Sequence, residues 1–111
     1  MTPDLFKAFA DPARIRIVEF LKRADKPCCS DEDRVCACDI EGMLGLSQPT
    51  VSHHMKVLVS AGLVEAEKAG RFSYYRINRT AFARLAAWLD GFVGDVVPDD
   101  APQPGERLRA N

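Results

Sequence analysis

The chain has 111 residues, of which 47% are hydrophobic and 28% are charged, and its formal net charge at pH 7 is −1. This length allows one domain that buries about 65% of its unfolded surface, and the composition is that of a globular protein rather than a disordered or fibrous one. No apolar run reaches the roughly 18 residues that a membrane span needs, and no basic segment leads into a signal-type apolar stretch, so we expect a folded cytoplasmic protein.

The first predicted elements are two helices followed by a loop. Apolar residues at the period of a helix mark the first one, namely Leu5, Phe6, Phe9 and Ala10. Asp11 and Pro12 are a typical N-cap and first residue for a second helix, which we expect to run to about Arg23. Its predicted buried face consists of Ile15, Ile17, Val18 and Leu21. Residues 24–35 are polar and aperiodic, which predicts a loop.

A second pair of helices, separated by a tight turn, is predicted after this loop. The first covers about residues 37–44 and ends at Gly45, a residue typical of helix C-termini. Ser47 is the predicted N-cap of the next helix, which covers about residues 48–61. The residues expected to face the core are Val51, Met55 and Leu58. Those expected to face outward are Gln48, Thr50, Ser52, His53 and Lys56.

A β-hairpin and a last helix complete the predicted domain. Residues 63–68 and 72–77 are rich in strand formers and are joined at Gly70. Asn78 or Thr80 is expected to cap a helix with a broad apolar surface, made of Phe82, Leu85, Ala86, Trp88, Leu89, Phe92 and Val93. The sequence thus predicts one domain over 1–96, mainly α with a β-hairpin wing (α+β) and five helices, and a disordered tail over 97–111.

This order of elements predicts a winged helix-turn-helix, in which the second helix of the pair enters the major groove of DNA. Residues 47–79 carry five basic and two acidic side chains and both histidines, so positive charge is concentrated there. The residues expected to contact base edges or phosphates are Ser47, Gln48, Thr50, Ser52, His53, Lys56, Lys68 and Arg71. The alternative for the polar face is an ordinary solvated helix. We expect His54 to be partly buried and hydrogen-bonded instead.

Residues 6–17 (FKAFADPARIRI), 46–58 (LSQPTVSHHMKVL), 61–64 (AGLV) and 70–77 resemble the corresponding segments of the ArsR/SmtB repressors. The resemblance covers about residues 5–95. It implies a homodimer joined through the first and last helices, which binds an imperfectly palindromic operator in double-stranded DNA and leaves it when an inducer binds.

The four cysteines lack a secretion signal, so we expect reduced thiols suited to metal chemistry rather than disulfides. Cys36-Ala37-Cys38-Asp39 resembles the Cys-Val-Cys-Asp element of arsenic- and cadmium-sensing members. The resemblance implies that Cys36 and Cys38 bind arsenite or antimonite as the inducer, with no resident cofactor required. Where many relatives have a third cysteine, this chain has Glu41. Cys28 or Cys29 is the predicted replacement, and the other is a candidate fourth ligand for Cd²⁺, Pb²⁺ or Zn²⁺.

The spacing of the cysteines also suggests a switch. Residues i and i+2 lie about 200° apart around a helix, so Cys36 and Cys38 cannot both face one ion from a regular helix. We therefore expect ligand binding to hold open or distort the start of that helix and so to move the helix that follows.

Other interpretations of the cysteines and of the domain stay open at this point. The thiols can also form a redox sensor or a structural zinc site, or have no joint role. The histidine and carboxylate pairs of zinc-sensing relatives are absent from the last helix. An enzyme is disfavoured because the chain has no glycine-rich phosphate loop and no nucleophile elbow. A protein-interaction module with the same shape is the alternative of a different class.

Overall fold

The computed structural model describes residues 3–24 and 34–96. Five helices and three strands follow one another in the order α1 Pro3–Phe9, α2 Pro12–Ala24, β1 Val35–Cys36, α3 Ala37–Leu44, α4 Gln48–Ser60, β2 Val64–Ala69, β3 Phe72–Ile77 and α5 Arg79–Val93. The five predicted helices and the hairpin are thus confirmed. Cys28, Cys29 and the predicted disordered tail over 97–111 lie outside the described residues. None of the helices in the described ranges is long and apolar enough to cross a membrane.

The sheet has three antiparallel strands in the order β1-β3-β2. β1 begins at the last residue of the predicted loop, and there Val35 pairs with Tyr75 and Cys36 with Tyr74. The loop prediction is wrong for Val35 because so short a strand has no periodicity of its own and forms only against a partner. Val35 is buried, which gives the pairing an apolar anchor.

The hairpin of β2 and β3 agrees closely with its prediction. Ala69 pairs with Phe72, so only two residues form the turn, and Gly70 has a φ of +63°. A left-handed backbone at this position favours glycine. β2 begins one residue later than predicted because Leu63 is fully buried at the junction with α4, where its carbonyl accepts a hydrogen bond from the Asn78 backbone N–H at 3.0 Å.

The core forms where α2, α3 and α4 meet the base of the sheet. Its buried apolar residues are Leu5, Ala8, Ile17, Val18, Leu21, Val35, Ile40, Val51, Met55, Leu58, Leu63 and Val64. The prediction that Ile15 is buried is wrong, since 43% of its surface is exposed. Ile15 lies about 160° from Ile17 around α2 and so leaves the inward face. In α1 the buried residues are Leu5 and Ala8, whereas Phe6 and Ala10 of the predicted stripe are exposed.

The last helix contributes little to this core. The Asn78 side chain caps α5 by accepting from the Ala81 N–H at 3.3 Å. Within the described part of the chain, no residue of α5 is buried, and Phe92 is 75% exposed. The Phe6 and Trp88 rings lie 5.5 Å apart, so α1 and α5 share one exposed apolar surface. We call it the α1/α5 surface; it consists of Phe6, Trp88, Leu89, Phe92 and Val93.

Two neighbouring residues of α4 test the burial pattern. Leu58→Ala removes a fully buried side chain and should lower the free energy of unfolding by about 2–5 kcal/mol, through lost apolar burial and the cavity left behind. Val59→Ala, at a position that is 37% exposed, should change it by less than about 0.5 kcal/mol. Urea unfolding followed by circular dichroism at one protein concentration measures both. Equal losses for the two variants would contradict the assigned orientation of α4.

The N-cap of α2 makes stability depend on pH. Asp11 Oδ1 accepts from the Ala13 N–H at 2.8 Å, and this bond, together with nearby His54 and Arg14, lowers the pKa of the Asp11 carboxyl. A lowered pKa means that the ionised carboxylate stabilises the fold above about pH 4, and that this contribution disappears as the pH falls through the folded-state pKa.

Asp11→Asn keeps a capping side chain and removes the charge. We expect the variant to be less stable than the wild type near neutral pH, and the difference to shrink as the pH is lowered below about 4. Thermal unfolding of both proteins between pH 2.5 and 7 measures this. A difference that stays constant over that range would contradict the role given to the charge.

Candidate nucleic-acid interface and thiol site

A tight turn fixes α4 against α3. Gly45 ends α3 with a φ of +67°, and its N–H donates to the Glu41 carbonyl at 2.9 Å. Ser47 then caps α4: its Oγ accepts from the Thr50 N–H at 3.4 Å and lies 2.9 Å from Thr50 Oγ1. The predicted cap is therefore confirmed. Because these two hydroxyls already bond to each other, they hold the helix start as well as facing outward.

The exposed face of α4 contains the side chains predicted to contact DNA. The core-facing side is buried as expected, and the exposed residues include Gln48, Thr50, Ser52, His53 and Lys56. These five span the first nine residues of the helix, where a major-groove helix makes its base contacts. The structure thus brings this predicted set together on one surface.

His54 differs from its neighbour. It is only 9% exposed, as predicted, and its ring lies 5.9 Å from that of His53. The expected hydrogen bond is missing at one nitrogen, because Nδ1 has no partner among the described residues. His54 therefore belongs to the packed side of α4 rather than to its exposed polar face.

The hairpin has exposed basic side chains at its tip and ion pairs further back. Lys68 and Arg71 are exposed beside the turn. Further back, Glu65 pairs with Arg76 at 3.4 Å, and Glu67 pairs with Arg34 at 2.5 Å. The carboxylates of β2 are thus neutralised locally, while the tip is left cationic.

Arg34 is a residue whose role the sequence does not reveal. Besides binding Glu67, its guanidinium lies 4.2 Å from the centre of the Tyr74 ring. Both partners belong to the hairpin, so Arg34 fastens the entry of β1 to it. The only signal in the sequence was a basic residue before a valine, which is too common to identify such a role.

The two described cysteines lie together at the junction of β1 and α3. Cys36 precedes α3 with extended backbone angles (φ −70°, ψ 144°), and Cys38 is the second residue of the helix. Their sulfurs are 2.8 Å apart, with the Cys38 thiol donating to Cys36 Sγ. Because Cys36 lies outside α3, the helical spacing does not apply to it, and the two sulfurs meet without distortion of the helix. What ligand binding does to the start of α3 stays a prediction.

The contact also affects the protonation of Cys38. The hydrogen bond to Cys36 raises the pKa of the Cys38 thiol, and the nearby negative charge of Asp39 acts in the same direction. Cys38 is exposed and Cys36 half-buried, so a ligand in solution can reach them. Soft ligands bind thiolates, so binding here releases protons.

The described residues supply two soft donors to this site and no complete ligand set. No group of three or more His, Cys, Asp or Glu side chains in the described ranges is placed to hold a metal ion. Glu41 lines a separate cavity of about 80 Å³ together with Gln48, Ser52 and Tyr75. Glu41, where the resemblance leads us to expect a third cysteine, therefore lies beside α4 and β3. The thiol pair fits a thiophilic ligand only if further donors come from elsewhere in the chain.

Comparisons with known proteins show the family of this chain. Residues 11–66 match the family described as bacterial regulatory protein, arsR family. The transcriptional repressor SdpR of Bacillus subtilis is 31% identical over 81% of this chain and 90% of its own length. An arsenical resistance operon repressor of Staphylococcus xylosus is 38% identical over 67% of this chain, which corresponds to 62% of that protein. The cadmium resistance transcriptional regulatory protein CadC of Listeria innocua is 34% identical over 72% of this chain and 60% of its own length.

Solved structures share the architecture. A crystal structure described as a "Possible transcriptional regulator for arsenical resistance" has a TM-score of 0.67 at 30% identity, covering 92% of this chain and 100% of that one. A homodimeric winged helix-turn-helix DNA-binding domain from Mycobacterium bovis has a TM-score of 0.60 at 27% identity, covering 90% and 84%. The predicted winged helix-turn-helix fold is confirmed.

The thiol contact predicts a change in reactivity. Cys36→Ala removes the hydrogen-bond acceptor, so the pKa of Cys38 should fall and more thiolate should be present at pH 8. Iodoacetamide should then alkylate Cys38 several-fold faster than in the wild type, as measured by mass spectrometry of the peptide that contains it. Cys36→Ser, which keeps an acceptor, should give a smaller increase. Equal rates in all three proteins would show that the contact does not control the protonation of Cys38.

Proposed function

This chain belongs to the arsR family of bacterial regulatory proteins, and we propose that it is a homodimeric transcriptional repressor that arsenite or antimonite releases from its operator. The family is one of DNA-binding regulators rather than enzymes. The observation that carries the proposal is the position of the thiol pair: Cys36 and Cys38 lie on the segment that leads directly into the helix-turn-helix. The proposal places the protein in the cytoplasm, where thiols stay reduced.

The DNA-binding part of the proposal rests on the exposed face of α4 and on the wing. Gln48, Ser52 and His53 have donors and acceptors of a size that suits base edges in the major groove. Lys56 on the helix and Lys68 and Arg71 at the hairpin tip neutralise phosphates. Ser47 and Thr50 hold the first turn of the helix at the DNA. Base contacts then set sequence preference, while the cations supply affinity that depends on salt.

The dimer rests on the α1/α5 surface. An exposed aromatic and aliphatic surface of this kind is typical of subunit contacts. A dimer with two-fold symmetry presents two α4 helices to successive major grooves, about 34–36 Å apart along the duplex. Because the two helices are related by two-fold symmetry, each reads one half-site, which accounts for a palindromic operator.

The proposal for the inducer rests on the thiols and on the names of two relatives. Two of the relatives are described as arsenical and cadmium resistance regulators. Cys36 and Cys38 provide two ligands, and Cys28 or Cys29 provides the third, in place of the cysteine that Glu41 replaces. Cadmium or lead with four thiolates is the alternative within the same site. Thiol oxidation is a further alternative, favoured by the 2.8 Å separation of the sulfurs.

Two connections link the thiol pair to the DNA-binding surface. Cys36 pairs with Tyr74 of β3, which belongs to the wing. Cys38 lies in α3, whose end is joined to α4 by the turn from Gly45 to Ser47. A ligand that draws the thiols towards a third donor therefore acts on wing and recognition helix together. Release requires the ligand to bind the DNA-free form more tightly than the DNA-bound form.

An operator-release titration tests the proposal. Duplexes are first selected from a random library by the wild-type chain, and arsenite is then added to the complex while fluorescence anisotropy reports binding. We expect arsenite to weaken wild-type binding by about 10-fold or more, a coupling in the usual range. Cys36→Ser and Cys38→Ser should bind DNA normally and fail to respond. Retained release in either variant, or unchanged affinity of the wild type, would contradict the inducer assignment.

The same assay separates the alternatives. Cys28→Ser and Cys29→Ser identify the third ligand, since only the variant that loses it should lose the arsenite response. Antimonite, cadmium, lead and zinc, followed by a mild thiol oxidant, identify which agent releases the wild type at the lowest concentration. A chain that binds no duplex in a salt-dependent manner would instead support a protein-interaction module.

A further inference from the structure

An open cleft of about 350 Å³ lies between α1 and the middle and end of α4. We call it the α1/α4 cleft. Its polar lining consists of Asp4 and Lys7 from α1 and His53, Lys56 and Ser60 from α4. The floor is the aliphatic side of α4, represented by Val57.

The cleft is continuous with the surface proposed to bind DNA. His53 and Lys56 belong both to its lining and to the exposed face of α4. On the opposite flank of the same helix, Lys56 and Ser60 line a second depression with Ala66 and Tyr75 of the wing sheet. The recognition helix thus runs between the wing on one side and α1 on the other. A helix in the major groove has a phosphate backbone along each flank, so both flanking elements are placed to meet one.

The charges of the cleft favour an anionic ligand, although one acidic residue of the cleft opposes its binding. Lys7 and Lys56 contribute two ammonium groups, while Asp4 contributes one carboxylate. Neither lysine forms an ion pair with any of the described residues, so both are available to a ligand. His53 and Ser60 add further hydrogen-bond donors. An ammonium group acts as a compact point charge, a form of recognition well suited to phosphate.

We propose that the α1/α4 cleft binds a phosphate group of the operator backbone, with Lys7 as a DNA contact supplied by α1. This rests on the proposed DNA-binding function and extends its surface beyond the helix-turn-helix and the wing. Lys7 neutralises the phosphate together with Lys56, and Ser60 is a donor to its oxygens. Asp4 opposes the same phosphate and limits the affinity. The contact is independent of base sequence and adds to the salt dependence of binding.

Charge variants at the two α1 positions test this with opposite expected signs. Lys7→Gln removes one cation per subunit, so the dimer should lose about 2 from the slope of log Kd against log salt concentration, and affinity should fall about 10-fold near 100 mM salt. Asp4→Asn should strengthen binding several-fold. Lys22→Gln is the matched control, since Lys22 is exposed in α2 and carries the same charge change outside the cleft. The probes are a duplex selected by the wild-type chain and an unrelated duplex of equal length.

The proposal expects Lys7→Gln to weaken binding to both duplexes by a similar factor, with Lys22→Gln close to the wild type. Circular dichroism and sedimentation on each full-length variant check folding and dimerisation. Equal salt slopes for Lys7→Gln and Lys22→Gln overturn the inference. In that case, binding of the duplexes by the wild-type chain still supports the proposed DNA-binding function. A Lys7→Gln variant that dissociates into monomers with an unchanged slope also overturns it and assigns the cleft to subunit contact. A wild-type chain that binds neither duplex contradicts the proposed function and this inference together.

Discussion

Two residues of β1 pair with the middle of β3, and this pairing determines how the functional parts of the chain are connected. It gives Cys36 an extended backbone, so that its sulfur meets that of Cys38 at the start of α3. It also adds a third strand to the wing hairpin. Arg34 reinforces the attachment by binding Glu67 and stacking on Tyr74. Through this strand, the backbone of Cys36 is joined directly to the hairpin.

The features that sequence predicts well here are those fixed by neighbours in the chain. Asp11, Ser47 and Asn78 cap their helices as expected, because capping depends on residues two or three positions away. Gly45 and Gly70 end a helix and form a turn for equally local reasons. The exposed face of α4 follows from helical periodicity alone. These local rules were enough to identify the fold and most of the proposed DNA contacts.

The features that sequence missed depend on distant parts of the chain. β1 exists only against β3, some 40 residues later, and its presence corrected the geometry expected for Cys36. Ile15 is apolar, yet it lies outside the inward face of α2. The proposed role of Lys7 depends on α4, which is distant from α1 in the sequence but lies beside it in the fold. Periodicity assigns a residue to a face of its own helix, and packing decides what that face meets.

The shallow packing of α5 has a consequence for control in the cell. Its apolar side chains are only partly covered within one chain, and Phe92 is largely exposed to water. If two copies cover this surface together, the DNA-binding species forms in proportion to the square of the monomer concentration when monomers predominate. Operator occupancy then responds more steeply than linearly to synthesis and dilution. Newly made single subunits, with an apolar helix uncovered, would be the form most open to proteolysis.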